Sequence, residues 1–165
     1  MDLPTLFSGI AGESGVKVSG EAEFLTAFEL LTIDTGGWPH VAWLGPGEVV
    51  PVGSDHLVLG IWSGSSTRKN LESGRGVLQV VISGTVYRLR LDVVGIGEVT
   101  VGPGHIAAFI GTVSDVITDE VLYAEVLSGL TYRLHDRAAV IDRWGLQAEC
   151  LADAANMWLA EQPSG

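Results

Sequence analysis

Apolar and polar residues alternate at every second position over Thr85–Val101. Tyr87, Leu89, Leu91 and Val93 fall on one side, and Arg88, Arg90 and Asp92 on the other. Such a period of two marks a strand with one buried and one solvated face. Shorter segments of similar texture surround it. Phe28–Ile33 ends at Asp34-Thr35-Gly36-Gly37, residues that tolerate the positive φ of a hairpin turn, and residues 40–44 return after Trp38-Pro39. Gly45-Pro46-Gly47 breaks the chain, and residues 48–52 continue the sheet on an edge. Residues 57–62 form a further strand, and residues 67–73 a short helix closed by Gly74. The nearly continuous apolar run 77–82 predicts a strand buried on both faces, and residues 106–117 follow the turn Gly102-Pro103-Gly104.

The two ends of the chain differ from this middle. Residues 3–10 are a short apolar piece, a Gly/Ser-rich stretch runs to Gly20, and residues 21–28 suit a turn or two of helix. After Thr118 the spacing becomes helical, over 120–134 and again over 142–162. There Leu146, Cys150, Ala154 and Trp158 recur every fourth residue. Together the elements predict a mostly β fold: a six-stranded antiparallel barrel over residues 21–118 with a helical cap over 119–165, in a single domain spanning 1–165.

Composition narrows the function classes. Nine Lys+Arg stand against 20 Asp+Glu, a net charge of -11, which argues against nucleic acid or an anionic membrane as partner. No apolar run approaches the roughly 20 residues of a membrane span. No basic segment followed by an apolar stretch opens the chain, so no signal peptide is expected. A lone cysteine, Cys150, fits a reducing cytoplasm. The four histidines are scattered without paired spacing, so no metal site is expected. No residue stands out as a catalytic acid or base.

The positive charges that remain are unevenly placed. Arg68, Lys69, Arg75, Arg88 and Arg90 fall within 23 positions and are opposed only by Glu72. Arg68 and Lys69 lie in the first turn of the predicted helix, where cations are unfavourable unless an anion is present. A phosphate there would draw on both charges, free N–H groups and the hydroxyls of Ser63, Ser66 or Thr67. The alternative is a pair of solvated charges beside an N-cap serine.

Ile61-Trp62-Ser63-Gly64-Ser65-Ser66-Thr67-Arg68-Lys69, on a strand leading into a short helix, resembles the flavin-phosphate motif of the pyridoxamine 5'-phosphate oxidase family. Leu31-Thr32-Ile33-Asp34 with Gly37-Trp38-Pro39-His40 resembles that family's opening hairpin, and the likeness extends over roughly residues 25–118. The resemblance implies a split barrel that binds flavin mononucleotide (FMN) at a homodimer interface and acts as an oxidoreductase on a small-molecule substrate. Arg68 and Lys69 would clamp the phosphate, Ser63 and Thr67 would donate hydrogen bonds, and Trp62 would lie near the flavin. Arg88 or Arg90 would approach the isoalloxazine edge. A non-enzymatic relative holding flavin, deazaflavin or haem is the alternative.

Two places depart from the family pattern. Val41-Ala42-Trp43-Leu44-Gly45 carries no cation where the family's oxidases have one. Arg133-Leu134-His135-Asp136-Arg137 matches a family segment that contacts substrate and flavin, but the helical reading of 120–134 would make Arg133 and Arg137 neighbours on a solvated helix face.

Overall fold

The computed structural model describes residues 2–14 and 24–163. The elements run α1 (Leu3–Ser14), β1 (Leu25–Thr26), β2 (Phe28–Ile33), β3 (Pro39–Leu44), β4 (Val49–Val52), β5 (His56–Trp62) and α2 (Ser66–Leu71). Then follow β6 (Arg75–Ile82), β7 (Thr85–Val101), β8 (Gly104–Asp119), β9 (Thr131–Tyr132) and α3 (Arg137–Glu161). Seven strands form one antiparallel sheet in the order β3-β2-β6-β7-β8-β5-β4.

The order explains the shape. β3 and β4 are the two edges of the sheet, yet only residues 45–48 separate them in sequence. So short a link forces the edges together, and the sheet curls on itself into a barrel split between β3 and β4. Leu30, Leu44, Val49, Leu59, Leu78, Leu89 and Phe109, one from each strand, accordingly meet in a single core. The long β7–β8 ladder takes its bend at irregularities after Arg90 and Gly95, the second beside Gly97 at φ +115°. α1 adds Leu6, Phe7 and Ile10 to the core.

A second apolar cluster lies between the sheet and α3. Val58, Ile106, Ala108 and Ile110 pack against Leu151 and Ala155. The mostly β, antiparallel reading with a C-terminal helical cap therefore holds, with a correction to the strand number. The main sheet has seven strands rather than six, because Val49–Val52 makes a full ladder with β5. β6 is buried on one face only: Leu78, Val80 and Ile82 point inward, while Val77, Gln79 and Val81 are half-buried.

Residues 120–134 are not helical. Leu122 and Leu127 stand in solvent, and Leu130 to Tyr132 serve the small β1–β9 pair instead, with Leu130 O accepting from Ala27 N at 2.8 Å. Of the helix expected over 21–28, residues 21–23 lie outside the described residues, and Leu25–Thr26 is strand. The apolar face of α3 is also rotated from the expected one: Trp144, Ala148, Leu151 and Ala155 are buried, and Leu146 is exposed. Among the described residues no helix is long and apolar enough to cross a membrane.

Candidate functional site

β5 delivers the chain to the basic segment. Its last residue, Trp62, is exposed, and the chain turns through Ser63 and Gly64 into α2. Ser65 caps that helix, its hydroxyl accepting from Arg68 N at 3.2 Å. Ser66, at the first position, is exposed. α2 has only six residues, so Arg68 and Lys69 sit in its last turn as much as its first. The helix dipole therefore neither penalises them nor gathers an anion, contrary to the sequence argument.

α2 is held down by two hydrogen bonds that the sequence did not announce. Thr67, buried, pairs its hydroxyl with His40 Nε2 on β3 at 3.1 Å. Buried Asn70 donates from Nδ2 to Thr32 Oγ1 on β2 at 3.1 Å. With Leu71 in the barrel core, these contacts leave one face of α2 to solvent and fix which residues it carries. Arg68 and Lys69 are on it, and among the described residues no carboxylate lies within 4.0 Å of either. Ser63 Oγ is buried and has no hydrogen-bond partner. A buried hydroxyl left unmade is costly, about 1–3 kcal/mol, and marks a position where another polar group belongs.

Arg88 and Arg90 are placed differently. They project from the outer face of β7, opposite the inward face that carries Leu89 and, on β2, Thr32. Arg88 pairs with Asp119 at 2.9 Å and donates from Nε to Gln79 Oε1 at 2.8 Å, while Gln79 in turn donates to Glu29 at 2.6 Å. Arg90 pairs with Asp115 at 3.2 Å. Within one chain these arginines do not join Arg68 and Lys69.

The Arg133–Arg137 segment lies at the junction of β9 and α3. Arg133 stacks over Phe24 at 5.0 Å, Asp136 caps α3 by accepting from Ala139 N at 3.2 Å, and Arg137 has a buried Nη2 without a partner. The expected helix-face arrangement of Arg133 and Arg137 is thus replaced by a strand-to-helix corner.

A cavity of about 380 Å³ opens at the link between the two sheet edges, lined by Trp43, Leu44, Glu48, Leu130, Tyr132 and Trp144 among others. Burial pushes the Glu48 carboxyl above its ordinary 4.5, against the opposing effects of the Gly45 N–H and the Arg143 charge. The Tyr132 hydroxyl is buried without a partner, and burial, then Glu48, raise it to about 12. Trp43 and Leu44 of this group lie in the stretch noted above for its missing cation.

No family model matches the chain. An uncharacterized protein of Bacillus subtilis (strain 168), YclD, is 26% identical over 119 residues, 72% of this chain and 77% of YclD. Similar solved structures include a putative pyridoxamine 5'-phosphate oxidase from Lactobacillus delbrueckii, at 15% identity and TM-score 0.49, covering 64% of this chain and 90% of that one. An FMN-binding protein from Syntrophomonas wolfei is 12% identical with TM-score 0.47, over 73% of this chain and 92% of that one.

Proposed function

We propose that this chain binds FMN, with the phosphate held at Ser63, Arg68 and Lys69, and works as a flavin-dependent oxidoreductase on a small substrate. The observation that carries the reading is the pair of cations without acidic partners, six residues or fewer from a buried and unpartnered serine hydroxyl. A phosphate ester offers charge to both cations and an acceptor to the serine. Thr67 takes a positioning part instead, because His40 already engages its hydroxyl. Trp62 and Ser66, both exposed, border the segment. Bound there, the flavin supplies hydride and electron transfer through its isoalloxazine ring, and the protein supplies position and electrostatics.

Arg88 and Arg90 enter this proposal through a homodimer. The outer face of β2, β3 and β6 exposes Ile33, Val41 and Trp43 beside half-buried Leu31, Val77 and Val81, an apolar surface suited to a second copy. The face continues through Gln79 to Arg88 and through Val77 to Arg90. A dimer on it would bring both arginines to the subunit interface, where the proposal puts the flavin. The free Cys150 thiol accords with a cytoplasmic setting.

The deciding measurement is the visible spectrum after incubation with FMN and desalting. A flavin band near ~450 nm should persist. Arg68→Ala combined with Lys69→Ala should weaken FMN binding at least about tenfold, the loss of one good charge-assisted contact or more. A wild-type protein that retains no FMN overturns the reading. Turnover with a reduced nicotinamide as donor tests the oxidoreductase part separately, since a protein that holds FMN without turnover is a binder.

A further inference from the structure

The cavity between β3, β9 and α3 is not part of the basic segment. Thr67 and His40 meet near the start of β3, whereas Trp43 and Leu44 line the cavity at its other end. Three of the nine residues lining the cavity are aromatic, in a chain where aromatics are 7% of residues. The only ionisable groups among the nine are the Glu48 carboxyl and the Tyr132 phenol. Its remaining walls are mostly apolar, including Leu44 and Leu130.

That combination has a chemical meaning. Aromatic rings attract a cation through their electron-rich faces, most strongly where water is excluded, and a carboxylate supplies the countercharge. An apolar molecule alone would give no use to Glu48, and an anion would meet it with repulsion. We propose that this cavity is a binding site for a small organic cation of the alkylammonium class, held by Trp43, Tyr132, Trp144 and Glu48. The net charge of -11 favours the approach of such a ligand.

The site is built rather than incidental. Trp144 lies so close over Gly45 and Gly47 that a side chain at either position would collide with it. Gln147, buried one turn further along α3, donates to Gly47 O at 3.0 Å and fixes the link from the same side. Gly45 N donates to Glu48 Oε2 at 2.5 Å, which orients the carboxyl. The Tyr132 hydroxyl is buried with no partner in the protein. Arg143, the one cation acting on Glu48, is exposed and forms no ion pair with it, so the carboxyl has no countercharge in contact. Burial disfavours the charged carboxyl, and a cation bound beside it would act in the opposite direction, towards the carboxylate.

The test is a calorimetric and tryptophan-fluorescence titration with choline, against 3,3-dimethylbutan-1-ol as the uncharged probe of the same shape, at constant ionic strength set with KCl. Choline should bind saturably and at least about tenfold tighter than the alcohol, the scale of a desolvated cation–π contact with its countercharge. Glu48→Gln, which keeps the shape and the Gly45 contact, should abolish that preference. Trp43→Ala should weaken choline binding at least about tenfold, with thermal melts of both variants showing that they fold. Equal binding of the two probes, no binding of choline, or an unchanged preference in Glu48→Gln would each overturn the proposal. Glu48 belongs neither to the basic segment nor to the apolar face of β2, β3 and β6, so the Glu48→Gln result stands whether or not FMN is retained.

Discussion

At the scale of single residues, the polar groups that matter most are those removed from water. Asn70 and Thr32 satisfy one another across 38 residues of sequence, and both are buried. Asn70→Ala leaves the Thr32 hydroxyl buried without its donor. We expect a loss of about 1–3 kcal/mol in urea unfolding, with an unchanged m-value. Ser63, Ser66, Thr67, Arg68 and Lys69 were legible in the sequence because one short segment carries them all. The bonds of His40 and Asn70 were not legible there, because each joins α2 to a strand distant in sequence and leaves no local pattern. Glu48 makes a different prediction. Its carboxyl is raised in the folded protein, so the native state binds the proton more tightly than the unfolded chain. Stability is then greatest below the ordinary value of 4.5 as far as this group is concerned, and is lost as pH rises through the folded value. Glu48→Gln should remove that loss. Thermal melts between pH 4 and 8 (a window of about four units chosen to span the raised carboxyl) should show a shallower decline for the variant than for wild type.

At the scale of elements, local pattern and tertiary demand agreed over β2 and β7, which lie where alternation and turn residues put them. They disagreed over 120–134, where apolar residues at helical spacing had no surface to bury against, and the chain was used as a partner for Leu25–Thr26. The buried face of α3 illustrates a second cause. A strict fourth-residue repeat drifts around a helix of 3.6 residues per turn, so the real stripe mixes steps of three and four. Its seating depends on Gly45, Gly47 and Gly60, and the last two differ in what they meet. A Cβ on Gly60 would lie 2.6 Å from Leu151 Cδ1, and one on Gly47 would lie 2.6 Å from the Trp144 Cα. Leu151 has a side-chain end that can turn aside, whereas Trp144 offers backbone. Gly47→Ala should therefore destabilise more than Gly60→Ala, by about 1–3 kcal/mol, and denaturant midpoints of the two variants measure the difference.

At the scale of the whole molecule, the sheet order makes one surface conspicuous. The inner faces of seven strands close on a common core, and α3 covers β5 and β8 from outside. Among the described residues no helix covers the outer side of β2, β3 and β6, although Gly129 lies against Val81, and there Ile33 is 54%, Val41 47% and Trp43 67% exposed. Sequence alternation foretold which residues of a strand share a face, but which face stays bare follows only from the topology. The homodimer proposal uses that bare face, and it can be separated from the folding of the barrel. Ile33→Asp with Val41→Lys replaces two solvent-facing side chains and should leave thermal stability of the isolated chain within about 0.5 kcal/mol. Light scattering after gel filtration should then show the 17.4 kDa chain instead of twice that mass. If the flavin lies between subunits, the same variant should also lose FMN, although Ser63, Arg68 and Lys69 are untouched. A variant that stays dimeric would move the interface elsewhere. A monomer that still retains FMN would place the whole flavin site within one chain.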